Sequence, residues 1–383
     1  MAIQTPEQAI PINQFTPEQL AYFKDTLQLT GLDIFELTDE TTKFTADIEL
    51  NDGLNYKFTC DSILTDLDLI EDSKGNQYTA TIRNETTIPA NSYFDMRIQG
   101  TSASIYYYEI IPLGTFVSKF GSFGTGDGQF DLNLGLSLLG LDLFSTSRNR
   151  GDIQKFDLQG NFVSKFGNNA FNKITSDGIN LFATGGGDFA GTTQVEVFDI
   201  SGNQLNTFGS AGTGDGQFTY PFGITYFSNY IYVGDFQNTR IQYFDTNGNF
   251  INKFGSTGTG DGQFQQITGI ANNGINLFVC DSGRNDIQIF DADGTFVGKF
   301  GSAGTGDGQF QSVSDVCVYN NKLIVVDQGR QDVQVFEYDG TFVSKFGSAG
   351  TGNGQFQTPI SLGCNETNIY ILDYSRADCQ IFK

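Results

Sequence analysis

The sequence GSAGTGDGQF at residues 209–218 recurs along the chain at a nearly constant interval. The other copies are GSFGTGDGQF (121–130), GSTGTGDGQF (255–264), GSAGTGDGQF (301–310), GSAGTGNGQF (347–356) and a shortened GNNAF (167–171). The phenylalanine before each copy stands at 120, 166, 208, 254, 300 and 346, so the intervals are 46, 42, 46, 46 and 46 residues. A fixed period of this length is typical of repeat architectures such as propellers.

A second series has matching spacing: IQKFD, VEVFD, IQYFD, IQIFD, VQVFE and CQIFK, with phenylalanine at 156, 198, 244, 290, 336 and 382. One period, residues 218–255, contains FGITYF, NYIYVGD, RIQYFD and NFINKFG, separated by turn-forming residues. Each segment is short and rich in β-branched or aromatic residues, which favours strands. Four antiparallel strands per period make one blade of a β-propeller. Six copies therefore predict an all-β, six-bladed propeller.

The last blade lacks one strand, because the chain ends directly after CQIFK. The segment TFVSKFG at 115–121 precedes the first glycine loop and matches NFVSKFG (161–167) and TFVSKFG (341–347), which are outer strands of their blades. We therefore expect residues 115–121 to supply the outer strand of the sixth blade. This closure joins the two ends of the domain and leaves no unpaired gap in the ring.

The elements GTGDGQF, GI, IYVGD, N-x-R-IQYFD and FINKFG are together similar to the NHL repeat, over residues 115–383. This resemblance implies a six-bladed NHL-like β-propeller that binds proteins or RNA, and a subset of the family resembles a metal-dependent lyase. The chain departs from the pattern that gives the family its name. Asn238-Thr239-Arg240 is the nearest approach to Asn-His-Leu, and the chain contains no histidine.

Charge and composition narrow the choice of partners. The formal net charge is −23, with 6 basic and 18 acidic residues in 1–110, and 15 basic and 26 acidic residues in 111–383. Nucleic-acid binding depends on neutralised phosphates, so we expect no nucleic-acid partner and no anionic membrane partner. The start, MAIQTPEQAIPINQ, has no signal-peptide pattern, and no apolar stretch approaches the ~20 residues of a membrane span.

Without histidine, the histidine-based metal sites, nucleophilic triads and acid–base pairs are excluded. We predict no catalytic residues, no metal site and no cofactor. A carboxylate-dependent enzyme acting on carbohydrate is the remaining catalytic alternative, with Asp177 and Asp315 as scattered candidates. Most other acidic residues follow the repeat, which indicates structural roles. We expect the aspartates of the glycine loops to fix the turns in which they lie. We also expect carboxylate–arginine pairs across the turn after the second strand: Asp235 with Arg240, Asp281 with Arg284, Asp327 with Arg330, and Asp373 with Arg376.

The five cysteines, Cys60, Cys280, Cys317, Cys364 and Cys379, form no Cys-x-x-Cys motif and mostly lie in apolar runs. We predict that they are free, buried thiols. Cys364 and Cys379 are expected to be the one pair of cysteines that lie near each other.

The loops between second and third strands vary from blade to blade, unlike the glycine loops with which they share the upper face. Variable loops on a rigid scaffold are where recognition usually occurs. The candidate contact residues, for a protein or glycan ligand, are Arg148, Arg150, Phe189, Phe236, Gln237, Arg284, Arg330, Tyr374 and Arg376. Their positions alone nominate them, and a solvated rim is the alternative.

Residues 1–112 form a separate module in this interpretation, and residues 113–383 form the propeller. Thr16 and Pro17 are a helix start, and the alternating segments that follow predict a small β-sandwich-like domain with one short helix. We expect this domain to be an anchor or a homo-oligomerisation domain that docks into an assembly.

Three functions are open. The first is a non-catalytic display protein, such as a bacteriophage fibre or capsid decoration, located on a virion or another extracellular surface. The second is an intracellular, cytoplasmic scaffold that binds proteins through the upper rim. The third is the carbohydrate-active enzyme.

Overall fold

The computed structural model describes residues 113–185, 193–365 and 367–383, together with the strands between 29 and 109. The chain divides into two compact units, Met1–Pro112 and Leu113–Lys383. Regular secondary structure in the described residues consists of strands alone. Within those same residues, no helix has the length and apolar character needed to cross a bilayer. The predicted helix at Thr16 lies outside the described residues.

The described strands of the first unit form one seven-stranded sheet in the order β1-β2-β3-β4-β5-β7-β6. Its neighbouring strands are antiparallel, except that β5 and β7 are parallel. The bounds are Leu29–Thr30 (β1), Phe44–Leu50 (β2), Asn55–Cys60 (β3), Leu67–Asp72 (β4), Gln77–Ile82 (β5), Ser92–Gln99 (β6) and Ser102–Glu109 (β7). The sandwich and the anchoring role stay predictions.

The second unit contains six four-stranded antiparallel sheets, which are the six predicted blades. In chain order they begin with β8 (Phe116–Phe120), which belongs to blade 6, and blade 1 follows as β9 (Asn133–Leu139), β10 (Asp142–Ser147), β11 (Ile153–Asp157) and β12 (Phe162–Phe166). Blade 2 contains β13 (Phe171–Ser176), β14 (Asn180–Gly185), β15 (Val195–Asp199) and β16 (Gln204–Phe208). A short parallel pair, β17 (Ser210–Ala211) and β18 (Gln217–Phe218), brackets the next glycine loop.

The remaining blades have the same order. Blade 3 contains β19 (Pro221–Phe227), β20 (Tyr230–Asp235), β21 (Arg240–Asp245) and β22 (Phe250–Phe254). Blade 4 contains β23 (Ile267–Asn272), β24 (Leu277–Asp281), β25 (Asp286–Phe290) and β26 (Phe296–Phe300). Blade 5 contains β27 (Val313–Tyr319), β28 (Lys322–Asp327), β29 (Asp332–Phe336) and β30 (Phe342–Phe346). Blade 6 contains β31 (Pro359–Cys364), β32 (Ile369–Asp373) and β33 (Asp378–Phe382).

The ring closes as the sequence predicts. Strand β8 pairs antiparallel with β33, with Phe120 opposite Cys379 and Phe116 opposite Phe382. The backbone amide of Lys383 donates to the Thr115 carbonyl at 3.0 Å, which extends the pairing to the end of the chain. The first strands of the blades contact one another in sequence, and β31 contacts β9, so these strands surround a central channel. The six-bladed propeller closed by residues 115–121 is therefore confirmed.

The two repeated motifs meet in the core. The phenylalanine that ends each ten-residue glycine loop is at most 1% exposed, and its ring lies 5.6 to 5.8 Å from the third-strand phenylalanine of its own blade. Each apolar cluster combines side chains of two neighbouring blades. Burying one such ring contributes about 2 kcal/mol, so the glycine loop is held by its phenylalanine. The first loop glycine is required, since a Cβ on Gly121 would lie 2.5 Å from the Phe130 ring.

The cysteine predictions were wrong for two of the residues that they concern. Cys317 and Cys364 form a disulfide, with their Cα atoms 6.3 Å apart, whereas Cys280 and Cys379 are free and buried. Cys317 and Cys364 lie on β27 and β31, which converge on the channel. Cys379 lies on β33, and β32 separates it from the strand of Cys364. Burial raises the pKa of the Cys280 and Cys379 thiols well above the ordinary value.

Candidate binding site at the upper mouth of the channel

Three aromatic residues and one arginine gather where the channel opens on the upper face. We call Arg148, Tyr220, Phe222 and Phe236 the mouth cluster. Tyr220 immediately precedes β19, Phe222 is the second residue of that strand, and Phe236 immediately follows β20. Arg148 immediately follows β10 of blade 1. The cluster therefore joins side chains of blades 1 and 3.

The rings of the mouth cluster pack against one another. The Tyr220 and Phe222 rings are stacked with centroids 6.0 Å apart, and Phe236 lies 5.6 Å from Tyr220 and 6.2 Å from Phe222. The Arg148 guanidinium carbon lies 5.3 Å from the centroid of the Tyr220 ring, within the range of a cation–π contact. Tyr220 is 9% exposed, and Phe222 and Phe236 are half-buried. The cluster thus presents the edges and partial faces of fixed rings.

Backbone hydrogen bonds hold Tyr220 and Phe236 in place. The amide of Phe236 donates to the Tyr220 carbonyl at 2.9 Å. The carboxylate of Asp235 accepts hydrogen bonds from the amides of Thr219 and Tyr220 at 3.0 and 3.1 Å. Burial raises the pKa of the Tyr220 hydroxyl, and the nearby Arg148 charge only partly opposes this rise. Tyr220 is therefore neutral and fixed.

The loop that leads into blade 2 is shortened. Phe171 pairs with Gly185 in the register in which Pro221 pairs with Asp235, so the path from Gly167 to this position is eight residues shorter than the path from Gly209 to Pro221. The Phe171 ring is fully buried and lies 5.9 Å from the third-strand Phe198. Blade 2 therefore keeps an aromatic anchor despite its short loop, and Arg148 of blade 1 reaches Tyr220 of blade 3 across it.

Beneath the mouth cluster, an ion pair crosses the channel. At one level of the six first strands, the repeat has Gly135, Lys173, Gly223, Gly269, Asp315 and Ser361. Lys173 Nζ lies 2.7 Å from Asp315 Oδ2, and blades 2 and 5 face each other in a ring of six. Lys173 Nζ also lies 5.9 Å from the Phe222 centroid. The pair thus fills the channel directly below the aromatic rings.

The Asp315 carboxylate is fully occupied. Ser361 Oγ and the Leu362 amide donate to Oδ2 at 2.8 and 3.1 Å, and the Val316 amide donates to Oδ1 at 3.1 Å. Asp177 lies in the turn after β13, where its Oδ1 accepts from the amides of Ile179 and Asn180. The structure therefore does not bring the two candidate catalytic carboxylates together. Among the described residues, no group of three or more acidic or cysteine side chains is arranged to hold a metal ion.

Four of the predicted contact arginines hold their own blades together. The side chains of Arg150, Arg284, Arg330 and Arg376 are 5 to 7% exposed. Each donates from Nη1 to two carbonyl oxygens of its glycine loop, at 2.5 to 3.2 Å. Each also donates from Nη2 to the aspartate two residues later, at 2.7 to 2.9 Å. Little of these guanidinium groups is left for a ligand.

The expected carboxylate–arginine pairs need correction. Arg240 Nε lies 3.6 Å from Asp235, and Arg330 Nε lies 4.0 Å from Asp327, which are loose contacts. The short partners of Arg284, Arg330 and Arg376 are instead Asp286, Asp332 and Asp378. The reason is that the end-of-strand carboxylates accept backbone amides after the glycine loop, as Asp281 does from Gln265 and Gln266 at 2.8 and 2.9 Å.

The other predicted contact residues have different surroundings. Arg148 and Phe236 lie in the mouth cluster, Gln237 is exposed, and Tyr374 is 44% exposed beside a separate pocket. Phe189 lies outside the described residues. Sequence reasoning missed Tyr220 and Phe222, because they lie at the start of a regular strand. The sequence feature that could have identified them is TYPF at 219–222, which has aromatic residues where blades 4 and 5 have QQIT and QSVS.

Known proteins support the fold and little else. A family described as a 6-bladed beta-propeller matches residues 307–378. No curated protein matches the chain. A structural genomics protein of unknown function from Bacteroides thetaiotaomicron is 13% identical over 86% of this chain and 81% of that chain, with a TM-score of 0.56.

Two enzymes are more distant in structure. A gluconolactonase from Xanthomonas campestris is 13% identical over 67% of this chain and 88% of its own, with a TM-score of 0.49. A virginiamycin B lyase from Staphylococcus aureus is 13% identical over 66% and 94%, with a TM-score of 0.47. Likeness at this level carries no activity to this chain, and the NHL label stays a compatible prediction. The strand pairing makes Leu113–Lys383 a six-bladed β-propeller, and the family match at residues 307–378 agrees with this architecture.

Proposed function

We propose that the propeller is a non-catalytic binding module that recognises a protein partner through the mouth cluster. The observation that carries this proposal is the packing of Tyr220, Phe222 and Phe236 beside Arg148, next to the shortened loop of blade 2. Tyrosine and arginine are enriched among residues that dominate binding energy at protein interfaces. Rings already held by the scaffold lose little conformational entropy on binding.

The geometry favours a protein over a carbohydrate ligand. The rings meet at 14 to 66° and cover one another, so they offer a small contoured surface rather than one open plane. Such a surface suits an apolar side chain surrounded by peptide backbone. The exposed amide of Gln237 follows Phe236 directly and is placed to hydrogen-bond that backbone. The display and scaffold hypotheses both use this kind of contact and differ in where the protein acts.

The test begins with selection of a displayed library of random dodecapeptides on the full chain. The affinity of the enriched peptides is then measured for the variants Phe236→Ser and Phe222→Thr. Each variant carries the residue that blade 4 has at the equivalent position. We expect each change to cost about 2 kcal/mol, roughly a 30-fold loss of affinity. Gln328→Ser, at the equivalent position of blade 5, is the matched control and should leave the affinity unchanged.

The proposal is wrong if no peptide family is enriched, or if the enriched peptides bind Phe236→Ser and Gln328→Ser as well as the original chain. Both variants carry residues that other blades already use, so their folding is not in question.

A further inference from the structure

A recess on the upper face lies at the seam where the ring closes. Its volume is about 250 Å³, and it lies between the loop that follows β8 and the end of β32. We call it the seam pocket. The residues that argue for its role are Phe123, Asp131, Tyr374 and Ser375, all of which line it. It is distinct from the mouth cluster, since none of the four belongs to that cluster.

Two departures from the repeat meet at the seam pocket. Phe123 stands where the other ten-residue loops have Ala211, Thr257, Ala303 and Ala349. Asp131 stands where the chain elsewhere has Thr219, Gln265, Gln311 and Gln357. Tyr374 occupies the variable position after the second strand, where blade 3 has Phe236 and blades 4 and 5 have Ser282 and Gln328. The glycine loops of the other blades are built without Phe123 and Asp131, so the location of these two residues beside Tyr374 indicates a role in binding.

Exposure supports the same conclusion. Phe123 is 77% exposed and Tyr374 is 44% exposed, so a large part of each ring faces solvent. In the loops that lack it, a small residue at this position makes the same bridge to the loop phenylalanine. Large aromatic side chains that remain exposed beside a recess are typical of interaction sites.

The chemistry of the pocket suits a cation. Asp131 Oδ1 accepts a hydrogen bond from Asn149 Nδ2 at 3.1 Å. Within the described part of the chain, no lysine or arginine forms an ion pair with Asp131. Two aromatic rings and one uncompensated carboxylate therefore line a single recess, and rings of this kind attract an ammonium or guanidinium group. The excess of 26 acidic over 15 basic residues in 111–383 adds long-range attraction for a cation.

We propose that the seam pocket receives a lysine or arginine side chain of a protein partner. Small-molecule pockets usually measure about 300 to 1,000 Å³, so this volume fits one side chain better than a whole ligand. The proposal rests on the proposed function for the nature of the partner. It adds a second, charge-specific contact on the upper face, separate from the mouth cluster.

The test uses a fluorophore-labelled hexalysine peptide and its fully Nζ-acetylated counterpart, measured by fluorescence anisotropy with the full chain. Phe123→Ala, Asp131→Gln and Tyr374→Gln each restore a residue that another blade uses. We expect each to weaken hexalysine binding by about fivefold, the effect of losing a cation–π or charge contact of about 1 kcal/mol. The acetylated peptide should not bind. Part of the affinity should persist at about 0.5 M salt, where diffuse attraction is screened.

Asp339→Asn is the matched control, because it removes the same charge from an exposed turn between β29 and β30. It keeps an oxygen to accept the Thr341 amide, as Asp339 does at 2.9 Å. The proposal is overturned if Asp339→Asn and Asp131→Gln weaken binding equally, if hexalysine binds no better than its acetylated form, or if neither aromatic change has an effect. Phe236→Ser separates the two sites: hexalysine binding that survives this change, together with loss of the selected peptides, belongs to the seam pocket.

Discussion

Lys173 and Asp315 occupy first-strand positions at which three other blades have glycine, and the two side chains form an ion pair with each other. Lys173 is 6% exposed and Asp315 is 10% exposed at the side chain. A buried charge that loses its partner is costly, whereas a buried pair replaced by apolar groups is often tolerated. Substitutions at these two positions therefore separate a pair that stabilises the ring from one that only fills the channel.

Lys173→Met is expected to destabilise the propeller by about 3 kcal/mol, because the buried Asp315 carboxylate would lose its ion-pair partner. The double change Lys173→Met, Asp315→Leu should recover most of this loss. Urea unfolding followed by tyrosine fluorescence measures both. Lys165→Met is the control, since Lys165 and Asp127 form an exposed pair, 45% and 56% exposed, that contributes under about 1 kcal/mol. Equal losses for Lys173→Met and Lys165→Met would contradict the expectation.

The buried aspartates of the blades give a prediction about pH. Burial raises the pKa of Asp286, Asp332 and Asp378 above 3.8, and the neighbouring arginine offsets this only in part. A carboxyl with a raised folded pKa binds its proton more tightly in the folded chain. Its contribution to stability is therefore present at low pH and is lost as the pH rises through the folded pKa.

Replacing these three aspartates together by asparagine removes that loss. The free energy of unfolding of the triple variant should rise relative to the original chain as the pH increases above 3.8, and then level off. Urea unfolding at a series of pH values measures the difference. Asp157, Asp199 and Asp245 provide the opposite case, because asparagine hydrogen bonds lower their pKa. Their replacement should give a difference of the opposite sign, and a difference constant with pH would refute the argument.

The short loop before blade 2 can be lengthened to test its effect on peptide binding. Replacing residues 167–171 by GSAGTGDGQFQSV, the sequence of 301–313, together with Glu196→Gln, should give blade 2 a full glycine loop in the strand register of blade 5. The second change is needed because the equivalent Gln242 accepts a hydrogen bond from the loop amide of Gly216 at 2.9 Å. We expect the grafted chain to fold and to lose at least about tenfold affinity for the selected peptides, because the added residues would cover part of the mouth cluster.

Circular dichroism checks that the grafted chain folds, and peptide titration measures its affinity. The control is the conversion of 255–264 to GSAGTGDGQF, which changes one residue, Thr257. Unchanged peptide binding after the graft in blade 2 would show that the short loop has no part in recognition.

The elements were predictable from the sequence to the extent that they repeat. The four-strand period and the closing strand at 115–121 follow directly from spacing, because strand pairing is the same in each copy. The mouth cluster was only half predicted: Arg148 and Phe236 lie in variable loops, but Tyr220 immediately precedes a regular strand and Phe222 belongs to it. The bridge between Cys317 and Cys364 was missed, because their closeness depends on how the first strands converge at the channel.

The closing strand β8 gives every blade of Leu113–Lys383 its four paired strands. All six sheets of this unit have four strands, and the sixth includes β8. A polypeptide of residues 113–383 should therefore fold alone and be monomeric. A polypeptide of residues 121–383 lacks β8, so β33 would expose an unpaired edge, and Phe346 and Phe382 would lose part of their cover. Open edges of this kind favour aggregation.

Light scattering after size exclusion and thermal unfolding distinguish these outcomes, with the full chain measured alongside. We expect 113–383 to give one cooperative transition, and 121–383 to aggregate or to unfold at a temperature many degrees lower, because losing a strand removes several kcal/mol. If the full chain is oligomeric and 113–383 is not, residues 1–112 carry the assembly, as the anchoring hypothesis requires. If both contain the same number of chains in solution, the homo-oligomerisation role of residues 1–112 is refuted. If 121–383 is as stable as 113–383, the ring does not depend on its closing strand, and the physical basis for treating the propeller as a rigid platform is lost.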